Sequence, residues 1–219
     1  MIKTYNMKKT LLLTLLLGLC FLMKGQVLKI QVGISNSSLD WELGNNSFKI
    51  YDEKITGHSI FIGLDYLEKK YFNLSSNIGI ISKGGSGFRF YVDPFGMPLI
   101  STNEKATIDY LSFNNTIDIK FPIKEKIFPF LSIGPRIDYL ISSNNNFKYN
   151  TTNYTLNKFS LGLNMGAGIK YQFSRFQIGV RGDYLVNLNK ISDYNNFSRT
   201  QEIKDNTFLV NTVIGIKLH

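Results

Sequence analysis

The stretch that decides the fold is KFSLGLNMGAGIKYQF, residues 158–173. From Phe159 onward, every second residue is apolar or aromatic, and the residues between them are polar, charged or glycine. Side chains alternate across a β-strand, so the pattern predicts a strand with one apolar and one polar face. Soluble strands usually have about 5–6 residues, whereas a tilted strand that crosses a bilayer needs about 9–11 with this alternation. The stretch therefore predicts a strand of a transmembrane β-barrel.

The same alternation recurs in other segments of the chain. They lie near Leu28–Ser38, Thr56–Leu67, Tyr71–Ile81, Thr107–Phe121, Ile127–Ile141, Phe176–Leu188 and Phe208–Leu218. Ser76 and Asn115 are the exceptions on otherwise apolar faces. The resulting even number of strands is typical of bacterial single-chain barrels, and closure pairs every strand edge, as lipid requires. We expect an all-β fold, an eight-stranded antiparallel up-and-down transmembrane β-barrel.

The connections between these segments alternate in length. The short ones are Glu68–Lys70, Pro122–Lys126 and Ser174–Arg175. The long ones are about Asp40–Ile55, Ser82–Ala106, Ser142–Asn157 and Asn189–Thr207, and they are rich in Asn, Ser, Gly and Lys. This asymmetry is typical of outer-membrane barrels, and it predicts short periplasmic turns and four long extracellular loops.

Aromatic residues near the predicted strand ends indicate interfacial girdles, since amphipathic rings favour the headgroup level. They are Tyr66, Tyr71, Phe72, Phe121, Phe128, Tyr139, Phe159, Tyr171, Phe173, Phe176 and Tyr184. The alternative is a soluble barrel of the lipocalin type, which would place its apolar face inside and its charges outside. Strand length and loop asymmetry favour the membrane barrel.

The N-terminus predicts export. Basic residues at Lys3, Lys8 and Lys9 precede the apolar run Leu11–Met23, which is typical of a secretory signal peptide. We expect cleavage after Gly25, so that residues 1–25 are the signal peptide and residues 26–219 are the barrel domain. The single cysteine lies within the signal, which excludes disulfides, thiol catalysis and cysteine metal sites from the mature chain. These features predict the outer membrane of a Gram-negative bacterium.

Charge is modest and dispersed after removal of the signal. The formal charge of +9 falls to +5 without the four signal lysines, and the remaining bases form no cluster. A nucleic-acid partner is therefore not expected.

The polar face of the predicted strands carries ten ionisable residues that should line the lumen. They are Lys29, Asp65, Asp118, Lys120, Arg136, Asp138, Lys170, Arg181, Asp183 and Lys217. An eight-stranded barrel is just wide enough for side chains to fill it, which favours a structural ion network that plugs the lumen. The alternative is a narrow pathway for small solutes or ions, with Arg136 and Arg181 as its constriction.

Candidate catalytic residues are few. His219 is the terminal residue, and His58 is next to Ser59 in a strand, where the two side chains should point to opposite faces. No cluster of His, Cys and carboxylates has metal-ligand spacing, so we expect no cofactor and no metal site. A lipid-modifying enzyme that uses His58 is the least favoured of the functions considered, and we expect a non-enzymatic protein.

Two hairpins resemble a known family. Tyr110–Phe113 with Phe130–Pro135, and Leu161–Tyr171 with Phe176–Tyr184, are similar to hairpins of the PorT-like outer-membrane β-barrel proteins of the porin family. The resemblance implies residence in the outer membrane, usually without a known ligand, and a few members serve protein secretion.

The expected function is that of a small envelope protein with a plugged lumen that acts through its outer loops. The expected partners are outer-membrane lipid, the barrel-assembly machinery during biogenesis and an extracellular or envelope protein. A narrow porin is the alternative.

Overall fold

The computed structural model describes residues 26–43, 48–49, 51, 53–92, 95, 97–123, 125–144, 156–196 and 199–218. The predicted signal peptide, residues 1–25, and His219 lie outside the described residues. The strands are β1 (Val27–Leu43), β2 (Phe48–Lys49), β3 (Glu53–Tyr66), β4 (Phe72–Val92), β5 (Pro98–Lys120), β6 (Ile127–Ser143), β7 (Phe159–Phe173), β8 (Phe176–Asn187), β9 (Ser192–Asn196) and β10 (Arg199–Lys217). In this part of the chain, no helix is long and apolar enough to cross a membrane.

The strands close into a ring. Within the described residues, eight long strands pair antiparallel in the order β1, β3, β4, β5, β6, β7, β8 and β10. The pairing of β1 with β10, from Val27↔Lys217 to Leu43↔Gln201, closes the ring. The short strand β2 pairs with the C-terminal end of β1, and β9 pairs with the N-terminal end of β10. The predicted eight-stranded barrel is confirmed.

The apolar face of every long strand points outward. In β1, Ile30 is 53% exposed, whereas its neighbour Lys29 is 1% exposed. The same alternation holds in β8, where Ile178 is exposed and Arg181 is buried. Apolar side chains outside and charges inside is the reverse of a soluble barrel, so the lipocalin-type alternative is wrong.

The two exceptions on the apolar face lie opposite each other. Ser76 and Asn115 are Cα partners of β4 and β5. The Ser76 hydroxyl hydrogen-bonds the Asn115 side chain, and the Tyr66 hydroxyl lies 3.2 Å away. A lone polar group facing lipid would be costly, and the pairing of these two removes that cost.

The short connections lie together at one end of the barrel, here called the lower end. β3 and β4 join through residues 67–71, and β7 and β8 join through Ser174 and Arg175. Ser174 has a φ of 53°, a backbone conformation that tight two-residue hairpins require. The predicted short turns are therefore confirmed.

The predicted aromatic girdles are on the outer face, with one correction. Tyr171, Phe173 and Phe176 are exposed near the lower end, where the Phe173 ring stacks on Phe176 and makes a tilted contact with Tyr171. Phe128 is half-buried and has the strand parity of Phe130, which is 2% exposed inside the barrel. The prediction for Phe128 was wrong because the residue was assigned by its closeness to a strand end and not by parity.

The strands continue beyond their predicted ends at the opposite, upper end. β4 and β5 form a hairpin out to Val92 and Pro98, so most of the predicted loop at residues 82–106 is strand. At Gly85, the Tyr51 carbonyl oxygen lies 2.1 Å from where a Cβ would stand, so only glycine permits this approach. Tyr51 thereby joins a buried apolar cluster that covers the lumen, here called the outer apolar cluster. Its members are Leu39, Tyr51, Ala106, Ile108, Tyr110, Ile191 and Ile203.

Candidate functional site: the charged lumen

The ten ionisable residues predicted for the lumen all lie on inward faces of the strands. Nine are buried: Lys29, Asp65, Asp118, Lys120, Arg136, Asp138, Lys170, Arg181 and Asp183. Lys217 is half-buried at the lower end of β10. The structure divides eight of these buried groups into two sets with an apolar layer between them, and Lys120 pairs with Glu68 outside both sets.

Lys170 is the centre of the lower set. Its ammonium lies 3.1 Å from Asp65 and 3.0 Å from Asp118, so one cation of β7 joins carboxylates from β3 and β5. Lys29 of β1 pairs with the other oxygen of Asp65. These partners lie far apart in sequence, and the inward parity of four strands brings them together.

Neutral groups complete the coordination of these charges. Lys29 donates to the Ser75 hydroxyl at 2.6 Å. Asp118 accepts hydrogen bonds from the Asn73 amide and the Thr116 hydroxyl, each at 3.2 Å. Buried charges are tolerated only when paired and hydrogen-bonded, and this set meets both conditions.

A second ion pair lies beside the first. Arg181 donates to both carboxylate oxygens of Asp183, at 2.7 and 2.6 Å, and to the Ser132 hydroxyl at 3.2 Å. The Phe130 ring has the Lys170 ammonium 4.7 Å and the Arg181 guanidinium 5.8 Å from its centroid. Both cations therefore lie within 6 Å of one aromatic ring, whose face attracts positive charge.

We name these six residues the lower ionic layer. They are Lys29, Asp65, Asp118, Lys170, Arg181 and Asp183.

Side-chain amides lie next to this layer. Gln31 donates to Asn77 at 2.7 Å, and Asn77 donates to Asn114 at 2.7 Å. Ser59 donates to Asn211 at 2.6 Å. These contacts link five strands around the ring and fill the lumen with hydrogen-bonded side chains.

An apolar layer separates the two charged sets. It consists of Phe61, Ile81, Leu185 and Leu209, none more than 2% exposed. In β8, Leu185 lies between Asp183 of the lower layer and Asn187, which accepts a hydrogen bond from Arg136 above. The side chains of these four residues offer no polar partner to water.

The upper ionic layer has Lys83 at its centre. Its ammonium lies 3.0 Å from Asp138 and 3.1 Å from Asp205. Arg136 approaches Asp138 to 3.3 Å, and the Thr207 hydroxyl donates to Asp205 at 3.0 Å. We define the upper ionic layer as Lys83, Arg136, Asp138 and Asp205.

This upper layer leaves polar atoms without partners. Among the described residues, neither Nη1 of Arg136 nor the Tyr110 hydroxyl has a hydrogen-bond partner. Both are buried, and the Tyr110 ring lies under the Lys83 ammonium at 5.1 Å. The upper layer is thus less completely satisfied than the lower one.

Sequence reasoning missed Lys83, Asp205 and Glu68. Lys83 and Asp205 continue the inward parity of β4 and β10 but lie beyond the strand ends that we predicted at Ile81 and Phe208. Glu68, in a short turn, lies 3.7 Å from Lys120. If each predicted strand had been extended by two or three residues, the inward alternation would have identified Lys83 and Asp205.

With these additions every buried charge named above has a partner of opposite sign, and Glu68 is the one partly exposed partner. Six bases and six acids of the described residues each have an oppositely charged partner within 4.0 Å. The bases are Lys29, Lys83, Lys120, Arg136, Lys170 and Arg181, and the acids are Asp65, Glu68, Asp118, Asp138, Asp183 and Asp205.

The candidate catalytic pair is separated by the barrel wall. His58 is exposed on the outer face of β3, whereas Ser59 is fully buried inside and donates to Asn211. The two residues therefore share no site.

Comparison with known proteins agrees with this geometry. Residues 27–193 match the family described as outer membrane protein beta-barrel domain. The fold is similar to the outer membrane protein OprG from Pseudomonas aeruginosa, with 13% identity, a TM-score of 0.54, and coverage of 90% of this chain and 97% of OprG. It is also similar to Neisserial surface protein A (NspA), with 10% identity, a TM-score of 0.51, and coverage of 87% and 97%. At these identities the likeness concerns the fold. No curated protein matches the chain.

Proposed function

The chain belongs to the outer membrane protein beta-barrel domain family, and we propose that it is a closed, non-enzymatic barrel of the Gram-negative outer membrane. In this proposal the barrel is an anchor, and the segments beyond its upper end meet an extracellular or envelope protein. The ten residues predicted from the sequence, together with Lys83, Asp205 and Glu68, serve as a structural network that fills the lumen.

The single observation that carries the proposal is the pairing of every buried charge described above. A selective pore usually presents unpaired charges of one sign to the passing ion. Here eleven buried groups and the partly exposed Glu68 pair with one another locally, and the apolar layer of Phe61, Ile81, Leu185 and Leu209 lies between the two ionic layers. An uncompensated charge in such surroundings would be costly, so pairing supports a structural role.

The upper end supports the surface role. The β4–β5 hairpin extends above the point where β5 pairs with the end of β6. Phe88 is 55% exposed on this hairpin, and Phe95 near its tip is 90% exposed. Exposed aromatic side chains on a projecting hairpin are suited to contact with a protein partner.

A narrow pore is the second candidate, and one observation favours it. Nη1 of Arg136 and the Tyr110 hydroxyl lack partners among the described residues, and bound water would satisfy them. Water at this height is the first element that a conducting path would need. The apolar layer below is the obstacle to that path.

An enzymatic role has less support. His58 and Ser59 face opposite sides of the wall, and the buried carboxylates are engaged by cations. In the described residues, no group of three or more His, Cys, Asp or Glu could hold a metal ion.

The finer assignments are proposals as well. We propose that residues 1–25 are a cleaved signal peptide, that the barrel-assembly machinery inserts the chain, and that the protein is of the PorT-like kind. The resemblance of residues 110–184 to PorT-like hairpins supports the last point.

Conductance in a planar bilayer tests the closed barrel directly. We expect the refolded mature chain to give no discrete current steps, with folding verified by a heat-modifiable gel shift. Stable steps that change size in Arg136→Ala or Arg181→Ala would overturn the closed barrel and support the pore.

A further inference from the structure

Three adjoining hollows follow the lower end of the barrel and share lining residues. The first, of about 750 Å³, is lined by Lys70, Tyr71, Lys120, Phe121, Pro122, Ile123, Glu125 and Phe128. The second, of about 320 Å³, is lined by Glu125, Lys126, Ile127 and Tyr171. The third, of about 300 Å³, is lined by Ile127, Ile169, Tyr171, Ile178, Gly179, Val180 and Thr212. Glu125 joins the first to the second, and Ile127 and Tyr171 join the second to the third. We name the three together the rim groove.

The rim groove changes character along its length. Charged side chains, among them Lys70, Glu125 and Lys126, line the part at the short turns. The third hollow carries no charge and runs over the outer face of β7 and β8, where Ile169 and Ile178 are about half exposed. A groove with a charged end at the membrane surface and an apolar end along the membrane-facing wall suits an amphipathic molecule.

The charges at the polar end are available to a ligand. In the part of the chain that the structure describes, no ion pair joins Lys70, Glu125 or Lys126 to another side chain. The Lys70 ammonium lies 5.3 Å from the centroid of the Tyr71 ring, an arrangement that leaves its hydrogen-bond donors open. This differs from the lumen, where every buried cation named above is paired.

We propose that the rim groove binds one phospholipid with a phosphoethanolamine headgroup. Lys70 and Lys126 supply positive charge for the phosphate, and Glu125 between the first two hollows supplies a carboxylate for the ammonium. One acyl chain lies along Ile169, Tyr171 and Ile178. The first hollow also borders the lower mouth of the lumen through Lys120 and Phe128. Lipid binding at this site goes beyond the proposed function.

The headgroup follows from the signs of the charges. A basic pocket alone would favour any anionic phospholipid, because lysines near a membrane attract negative headgroups. Glu125 lines two of the hollows, and a carboxylate there repels a purely anionic headgroup but pairs with an ammonium. The tyrosines Tyr71 and Tyr171 lie where interfacial rings favour the headgroup level.

Native mass spectrometry of the refolded mature chain tests the site. The detergent-solubilised protein is incubated with equal amounts of phosphatidylethanolamine and phosphatidylglycerol, and bound lipid is identified by mass. We expect one retained phosphatidylethanolamine. We expect Lys70→Gln/Lys126→Gln to reduce its retention about tenfold, the loss of roughly one charge-assisted contact.

Two further variants separate headgroup recognition from general attraction. Glu125→Gln should abolish the preference for phosphatidylethanolamine over phosphatidylglycerol while leaving total retention similar. Lys158→Gln removes an exposed lysine at the opposite end of the barrel and should change nothing. Preferential retention of phosphatidylglycerol by the unaltered chain, or equal losses in Lys158→Gln and Lys70→Gln/Lys126→Gln, would overturn the proposal. If the double variant fails the gel-shift test of folding, the outcome for Glu125→Gln decides alone.

Discussion

Both ionic layers hold charged side chains in the lumen, but the lower layer satisfies their hydrogen-bonding groups more completely than the upper layer does. In the lower layer, Asp65 and Asp118 share the Lys170 ammonium, and neutral side chains such as Asn73 complete the shell. In the upper layer, Lys83 has the same two-carboxylate arrangement, yet Nη1 of the nearby Arg136 has no partner among the described residues. The difference shows that charge balance and hydrogen-bond completion are separate requirements.

Strand regularity explains the difference. β7 and β8 pair without a register shift through Asp183 and Lys170 of the lower layer. Close to the upper layer, the β5–β6 register shifts between Asp109 and Tyr110, and the β3–β4 register shifts between Lys54 and Ser59. A register shift changes the direction in which nearby side chains point. Polar groups of the upper ionic layer are therefore less well placed to form hydrogen bonds with one another.

Removal of one carboxylate from the lower ionic layer should lower the free energy of unfolding more than any other variant below. Asp65→Asn leaves Lys29 without its anion and Lys170 with only Asp118. Breaking a buried ion pair from one side costs about 3–5 kcal/mol, so we expect a fall of that size in the free energy of unfolding. Urea unfolding in detergent micelles, followed by the heat-modifiable gel shift, measures it.

Asp109→Asn is the matched control, because Asp109 lies in β5 on the outward side with no described ion pair. We expect a change within about 0.5 kcal/mol. Equal losses in Asp65→Asn and Asp109→Asn would show that the lower layer does not stabilise the barrel.

A substitution in the apolar layer between the two ionic layers should give the second largest loss in the free energy of unfolding. Leu185→Ala opens space between them, and a buried leucine-to-alanine change costs about 2–5 kcal/mol. If this layer is the barrier to water, the variant should also give current steps in a planar bilayer. Leu188→Ala, at a side chain that is 67% exposed, is the control and should remain silent. A Leu185→Ala variant that folds stably and gives no current steps would show that the apolar layer is not the barrier to water.

Removal of one carboxylate from the upper ionic layer should lower the free energy of unfolding by a smaller amount. Asp205→Asn leaves Lys83 paired with Asp138, so the cation is not stranded. We expect a loss of about 1–3 kcal/mol, below that of Asp65→Asn under the same urea conditions. A larger loss than in Asp65→Asn would reverse the ranking of the two layers.

Removal of the Tyr110 hydroxyl should change the free energy of unfolding least. Tyr110→Phe keeps the ring under Lys83 and removes a buried group that has no hydrogen-bond partner among the described residues. We expect the free energy of unfolding to stay within about 0.5 kcal/mol or to rise. A clear loss would mean that bound water or an unseen contact satisfies the hydroxyl, which would strengthen the pore as the second candidate.

Strand parity was sufficient to predict much of the lumen. Lys29 and Lys170 could be placed inside because their neighbours on both sides are apolar or aromatic and face lipid. Lys83 and Asp205 were missed because the strands rise above the apolar belt at this end. There the outward residues, such as Ser82 and Asn206, are polar, so the alternation of apolar and polar residues fades while the strand continues.

The amino-acid pattern by itself determined a closed barrel with an apolar exterior and a charged interior, because a period of two and lipid's demand for paired backbone leave few other folds. It could not determine which charges pair. Lys170 meets Asp65 across the lumen from 105 positions away in sequence. Such contacts depend on strand register and on the narrow diameter of the ring, so only the tertiary structure decided that all the buried charges named above except Lys120 pair with one another in two separate layers.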